Sequence, residues 1–331
     1  MSARDAVEAR PALEARLRRI GRERYHDKHP FNVRMHEGGL SPEEIRTWAR
    51  NRYYYQTRIP KKDSTILAKD GTDTEFRREW IGRIHDHDGA QPGEGGLALW
   101  IELACAVGCD RAEVESLRFV LPGVRAACDA YVEFVESHEL LESVASSLTE
   151  MFAGDIMKTR IEAFERHYPW VSAEGLRYFR SRTVQAPRDA AFGLAWVLEH
   201  ADTPEAADRC AAALERKCEI LWSLLDAVEA AARRPALVPH AQLRDDPAEA
   251  RTLVVLPERA VALNDSAREL LDLCDGARSA ETLALEIARR HPDAESAYAD
   301  AHDFLAHMER AGVLACERAP ESPRAPERAP G

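Results

Sequence analysis

Charged and hydrogen-bonding side chains recur in this sequence on helical faces that would otherwise be apolar. Ile45, Trp48, Ala49, Arg52, Tyr55, Gln56 and Ile59 stand three and four residues apart and share one side of a helix. That stripe begins as core and turns into guanidinium, phenol and amide. Trp80, Arg83, Ile84 and His87 form a second stripe, and Tyr178, Arg182 and Gln185 a third. Lys217 falls among Leu214, Leu221, Leu224 and Val228, while Glu150, Met157 and Arg160 align on a further face interrupted by Gly154. One such break is usually a satisfied structural residue. Four or five in one bundle point to a shared polar interior, because buried charges need partners. The inward set is richer in Arg and Lys than in carboxylates. It fits a compact polyanion of aromatic character, held by forked guanidinium contacts and flanked by tyrosines.

The densest cluster is Arg83-Ile84-His85-Asp86-His87-Asp88-Gly89. By itself its His and Asp residues could ligate a metal. A di-metal bundle, however, needs two Glu-x-x-His segments on facing helices, and no such pair occurs. In Glu136-Ser137-His138 and Glu165-Arg166-His167 the spacing puts the two groups on different faces. Helical phase turns His87 inward and His85 outward. A neutral inward imidazole near Tyr and Arg suits general acid–base work.

These side chains have to be positioned by helices. Residues 4 to about 233 predict helix after helix, with apolar positions recurring at three and four, and about seven main helices in an all-α bundle. Ser41-Pro42-Glu43-Glu44 is a helix start, with a serine cap, proline in the first turn and acids against the dipole. Ser172-Ala173-Glu174 and Thr203-Pro204-Glu205 read the same way. The pattern changes near residue 234. His240 to Ala250 is polar and reads as a linker. Leu253–Leu256 and Ala260–Leu263, separated by Pro257-Glu258-Arg259, give the one hairpin expected in the chain. Helices are expected over Asp265–Cys274, Ala280–Arg290 and Ala294–Ala311, with Gly276 and Gly312 as C-caps. The organisation is therefore a helical domain over 1–236, a linker at 237–247, a small α+β domain over 248–315 and a disordered tail, 316–331, rich in Pro, Ala, Arg and Glu.

The 331 residues are too many for one core. The formal net charge of −12 argues against nucleic acid as the main partner. None of the seven cysteines is in a CxxC pair, so reduced thiols of a cytosolic protein are expected, without zinc or disulfides. No apolar run is long enough to cross a bilayer. The first residues lack the apolar segment of a signal peptide, so neither export nor a membrane is expected and the location is read as cytoplasmic.

Several of these stretches carry a family resemblance. Arg24-Tyr25-His26-Asp27-Lys28-His29-Pro30, Asn51-Arg52-Tyr53-Tyr54-Tyr55-Gln56, Ile59-Pro60-Lys61-Lys62-Asp63 and the Arg83–Gly89 run resemble the pyrroloquinoline-quinone synthase (PqqC) family. So do Asp129-Ala130-Tyr131, Ser146-Ser147-Leu148-Thr149-Glu150, Tyr178-Phe179-Arg180-Ser181-Arg182 and Gln185-Ala186-Pro187-Arg188-Asp189. The similarity runs in order over residues 10–230. Val261-Ala262-Leu263-Asn264, Ala267 and Leu270-Leu271-Asp272-Leu273-Cys274-Asp275-Gly276 are similar to PqqD, although Asp245-Asp246-Pro247 departs from the strand expected before them.

The resemblance implies a seven-helix bundle of haem oxygenase and thiaminase type, fused to a winged-helix domain that binds a precursor peptide. The activity implied is the last step in making pyrroloquinoline quinone. A bicyclic quinone derived from Glu and Tyr undergoes ring closure and eight-electron oxidation by O2, with H2O2 released and no cofactor. Tyr25, His26, Arg52, Tyr55, Gln56, Lys62, Tyr131, Glu150, Arg160 and Lys217 would hold the substrate. His87, Tyr178 and Arg182 would surround oxygen or peroxide and move protons. Met157 departs from the family, which has a histidine one turn before the binding arginine; the loss of that proton donor implies altered rates in late oxidative steps. The implied partners are a PqqA-like precursor peptide and a radical-SAM enzyme at the C-terminal domain, with a homodimer as the assembly. Two alternatives stand beside this reading. One is a catalytically inactive bundle serving as a peptide or quinone scaffold. The other is a thiaminase-like hydrolase, which would need a nucleophilic thiol aimed at the site.

Overall fold

Eleven α-helices build the N-terminal part of the computed structural model, which describes residues 3–247, 249 and 251–318. They are α1 (Ala3–Arg24), α2 (Pro30–His36), α3 (Pro42–Leu67), α4 (Thr74–Asp88), α5 (Gly95–Ala106), α6 (Arg111–Ser116), α7 (Pro122–Ser137), α8 (Leu140–Ser146), α9 (Glu150–His167), α10 (Arg177–His200) and α11 (Pro204–Ala231). Eight of them have twelve residues or more, where the sequence reading counted seven; α2, α6 and α8 are short pieces between turns.

Local chemistry sets the helix starts. Ser41 accepts from the Glu44 N–H at 3.2 Å while the Glu44 carboxylate accepts from the Ser41 N–H at 2.8 Å, closing a capping box before α3. Asp73 caps α4 through Phe76 N–H at 2.7 Å, and Thr203 caps α11 through Ala206 N–H at 3.1 Å. After Ser172 the chain first forms a 3-10 turn, Glu174–Leu176, before α10 begins at Arg177. Trp48, Trp80, Trp100 and Phe179 are fully buried among the helices. Truncating one of these rings to alanine should cost about 3–5 kcal/mol.

Among the described residues a second compact unit comprises 116–122 and 227–318. Its elements are β1 (Arg234–Leu237), β2 (Gln242–Asp246), β3 (Arg251–Leu256), β4 (Arg259–Leu263), α12 (Asp265–Asp272), α13 (Ala280–Arg290), α14 (Ala297–Arg310) and β5 (Leu314–Glu317). The expected hairpin is β3–β4, with Val254 opposite Val261. Three strands go beyond it. β2 pairs antiparallel with β3 through residues 242–246, inside the stretch read as a linker. β1 pairs with β5, so Cys316 and Glu317 lie in a strand, not in a tail. The rest of the expected tail, residues 319–331, lies outside the described residues. Local periodicity missed β2 because Arg244, Asp245 and Asp246 make a charged edge strand. It missed β1 and β5 because their partners are some eighty residues apart.

Among the described residues, no helix is long and apolar enough to cross a membrane.

Candidate functional site

The polar ends of the interrupted stripes meet inside the bundle. α3 supplies Arg52, Tyr55, Gln56 and Lys62; α4 supplies Arg83 and His87; α7 supplies Tyr131. α9 contributes Met157 and Arg160, α10 contributes Tyr178 and Arg182, and Tyr25 and His26 come from the turn after α1. These side chains are all buried, as is Lys217 of α11, while the Glu150 side chain at the start of α9 is 16% exposed. The Tyr25–His26 turn is fixed from behind by His29. Its Nδ1 accepts from Phe31 N–H at 3.1 Å, capping α2, and its Nε2 lies 3.1 Å from Asp226 on α11.

One side of the site holds guanidinium, amine and imidazole nitrogens with few or no hydrogen-bond partners. Lys217 Nζ lies 3.2 Å from the Tyr131 ring centroid and 4.4 Å from that of Tyr55. It makes no hydrogen bond. Burial, then the charges of Arg52 and Lys62, hold this amine well below its ordinary pKa. Both ring nitrogens of His26 are likewise buried without a hydrogen bond. Burial and the nearby Arg52 and Arg160 keep its pKa well below that of free imidazole. Arg160 donates to Asn32 Oδ1 at 3.1 Å, and its Nε and Nη1 remain unpartnered. Asn32 in turn donates to the His26 carbonyl at 2.6 Å. Arg52 stacks on Tyr55, Cζ 3.8 Å from the ring centroid. Buried polar atoms left without partners cost about 1–3 kcal/mol each. Such a concentration of donors is the character of an anion site.

The other side is a lattice of ion pairs. Arg182 donates to Glu150 at 2.6 Å and lies 3.6 Å from Asp189. Arg83 faces three carboxylates from three helices: Asp63 at 3.4 Å, Glu150 at 3.7 Å and Asp189 at 3.8 Å. Burial pushes the Glu150 carboxyl up, but Arg182, Arg83 and Lys62 outweigh it and hold its pKa at about 2. Lys62 bonds Asp63 at 2.5 Å and Ser147 at 3.2 Å. Across the site, then, Arg52, Lys62, Arg83, Arg160 and Arg182 stand against Asp63, Glu150 and Asp189, with the depressed Lys217 amine beside them. That surplus of cations favours a multiply charged anion.

His87 is placed for proton chemistry. Its Nδ1 lies 3.0 Å from the Arg83 carbonyl, which can only accept, so Nδ1 carries the proton and Nε2 keeps its lone pair. Burial, then Arg182, bring its pKa to about 4, so the ring is neutral near pH 7. The Tyr178 hydroxyl donates to Gln56 Oε1 at 2.9 Å, and burial raises its pKa, so it stays protonated. Its ring sits edge-on to Trp100, with centroids 4.7 Å apart. His85 is exposed, as its helical phase requires. Gln185 is only half-buried, at 3.4 Å from Arg182. Met157 lies buried one turn before Arg160 and offers no titratable group.

Sequence reasoning did not place Asp63, Asp189, Asn32 or Ser147 in the site. Asp63 and Asp189 stood within matching motifs, but periodicity assigns a face and not the partner that a facing helix brings. Of the cysteines, the Cys128 thiol is raised to about 12 by burial, against the lowering charges of Arg52 and Lys217. It remains a protonated thiol, unsuited to nucleophilic hydrolysis. Among the described residues no group of three or more His, Cys, Asp or Glu is arranged to hold a metal ion.

Comparison with known proteins gives a consistent result. The TENA/THI-4/PQQC family matches residues 14–227, and the family described as Coenzyme PQQ synthesis protein D (PqqD) matches residues 252–314. The pyrroloquinoline-quinone synthase of Gluconobacter oxydans (strain 621H) is 51% identical over 217 residues, covering 66% of this chain and 90% of that protein. That of Pseudomonas aeruginosa (strain LESB58) is 52% identical over 223 residues, covering 67% of this chain and 88% of that protein. Among solved structures, a haem oxygenase-like domain of unknown function from Shewanella denitrificans OS217 superposes with a TM-score of 0.53 at 15% identity. It covers 69% of this chain and 93% of that chain. A TenA homologue from P. horikoshii OT3 also gives 0.53, at 10% identity, covering 65% and 97% respectively. These two likenesses establish the fold of the bundle.

Proposed function

The chain belongs to the TENA/THI-4/PQQC family, and we propose that it performs the closing step of pyrroloquinoline quinone biosynthesis as an oxidoreductase-type enzyme. The reaction is ring closure and eight-electron oxidation of a Glu/Tyr-derived bicyclic quinone, with O2 as acceptor and H2O2 released. The observation that carries this reading is the buried surplus of cations, set among tyrosines and beside a neutral imidazole. Substrate carboxylates would be held by Arg52, Lys62, Arg160 and Lys217. Tyr25, His26, Tyr55, Gln56, Tyr131 and Glu150 would complete the binding surface. His87 Nε2 accepts protons from the substrate, while Tyr178 and Arg182 stabilise the charge passed to oxygen. The substrate supplies the electrons, so the step is assigned no cofactor. Met157 leaves this pocket one proton donor short, which places its effect in the late oxidations.

For residues 248–315 we propose peptide binding. In the sheet order β2-β3-β4 the outer strands, β2 and β4, have no further strand paired to them among the described residues, and an extended peptide can add there. A hollow of about 430 Å³ in the same unit, lined by Leu270, Ile287, Ala294, Ala297 and Phe304 among others, can take an apolar side chain. The ligand would be a PqqA-like precursor presented to a radical-SAM enzyme, with the protein acting as a cytoplasmic homodimer. The test is direct. Purified chain supplied with the bicyclic precursor in air should take up oxygen, release peroxide and develop the quinone absorption. Tight quinone binding with no oxygen uptake would establish the scaffold alternative instead.

A further inference from the structure

Asp63 is the one carboxylate of the site that is completely enclosed, 0% exposed, and its own helix puts it beside an expected ligand-binding cation. Its Oδ1 accepts from Lys62 Nζ at 2.5 Å and faces Arg83 Nε at 3.4 Å, while Oδ2 makes no hydrogen bond. An enclosed carboxylate among cations that are meant to attract an anion works against the ligand by charge alone, since like charges repel. Its placement calls for another explanation, and Lys62 supplies it. A lysine ammonium is a point charge on a flexible four-carbon stem. Three N–H groups leave Lys62; Asp63 takes one, and Ser147 Oγ takes another at 3.2 Å. One donor then remains for a ligand, in a fixed direction. The groups around the pair are Arg83 and His87 from α4, Tyr131 from α7, Glu150 from α9 and Lys217 from α11. Without Asp63, Lys62 can swing toward Glu150, and Arg83 loses the nearest of its three carboxylates.

We infer that Asp63 is a positioning residue for anion recognition, aiming the Lys62 ammonium at the substrate. This rests on the quinone-oxidation reading of the site. The two possible roles of the carboxylate predict opposite signs. If Asp63 acted only through its charge, Asp63→Asn would tighten binding of an anionic quinone. If it positions Lys62, Asp63→Asn should weaken binding at least tenfold and raise KM, with kcat changed less than threefold. Asp63→Glu should recover part of the loss.

The experiment titrates pyrroloquinoline quinone into the full chain, following its visible spectrum, for wild type, Asp63→Asn, Asp63→Glu, Lys62→Met and the Lys62→Met/Asp63→Asn double variant. Expected is a double variant no weaker than Lys62→Met alone, because without the ammonium there is nothing to aim. Equal or tighter binding by Asp63→Asn, or losses that simply add in the double variant, would overturn the inference. If Asp63→Asn does not fold, Asp63→Glu against wild type decides, since a shifted carboxylate should still raise KM before kcat. If the wild type itself does not bind the quinone, the functional reading fails. Urea unfolding of the same chains then decides for Asp63: additive stability losses at Lys62 and Asp63 would show that no coupling exists to aim anything.

Discussion

Arg182 meets Glu150 at 2.6 Å inside the bundle, where the arginine side chain is 5% exposed. In the C-terminal unit Arg268, Arg278 and Arg290 meet Asp272, Glu286 and Glu269 at 2.8–2.9 Å, with every one of those side chains about a third exposed or more. The distances are alike, but the consequences are not. Exposed pairs contribute about 0–1 kcal/mol each and are screened by salt. Enclosed charges must recover a desolvation cost of several kcal/mol per ion, and in the bundle many do so only in part. His26, Arg160 and Lys217 retain buried donors or acceptors with no hydrogen bond. Such a region is organised for a ligand that completes it. The C-terminal unit makes these arginine pairs at its surface, gives its buried acid, Glu281, the Tyr298 hydroxyl at 2.6 Å, and offers strand edges and an apolar hollow. On the function proposed above, one region acts on a small anion and the other grasps a chain.

The sharpest way to break this contrast is at His87. His87→Ala should slow quinone formation by about a hundred- to ten-thousandfold and leave quinone affinity within a few-fold, as single-turnover absorption would show. Lost affinity with unchanged turnover of bound substrate would reverse the roles. The next effect is on stability against pH. His87 titrates near 6.5 in the unfolded chain and at about 4 when folded. Its contribution is therefore complete above pH 6.5 and lost as pH falls toward 4, by up to about 3 kcal/mol for a shift of this size. Urea unfolding between those pH values should show the decline, and His87→Gln should make it shallower, with burial-depressed His26 and His36 supplying the rest.

Third, Lys217→Met should weaken quinone binding about tenfold, an effect typical of losing one charged contact. Because burial and neighbouring cations depress this amine, an arriving anion should restore its proton. Calorimetry at pH 8 in buffers of different ionisation heat should detect proton uptake by wild type and less by the variant. Equal uptake would assign the proton elsewhere. The smallest effect on catalysis belongs to the C-terminal unit. Ala294→Glu, at an exposed position lining the hollow, should lower precursor-peptide affinity about three- to tenfold and change oxidase turnover less than twofold. A large loss of turnover would show that the contrast between the two regions is false.

Much of this organisation was already written along the chain. Ser41, Thr203 and the inward phase of His87 needed only local rules, since caps and helical faces are set by neighbours within four residues. The conversion of the α3 stripe from Trp48 to Arg52 and Gln56 announced a polar interior before any partner was known. The C-terminal hairpin was readable from two short apolar runs around a proline turn. The cationic surplus followed from counting inward residues, because arginine keeps its charge however the helices are arranged.

What the tertiary structure decided is which groups meet. Asp63 and Asp189 looked like ordinary helical acids until α4 brought Arg83 between them, 3.4 and 3.8 Å away. Lys217 lies over Tyr131 only because α11 returns past α7. β1 and β5 were invisible because Leu237 finds Leu314 far along the chain. Sequence periodicity reports the face a residue presents, which short-range sterics fix. The partner on the opposite face, and hence the pKa of Glu150 or His87, depends on contacts between distant segments and on their burial, which exist only once the helices have packed.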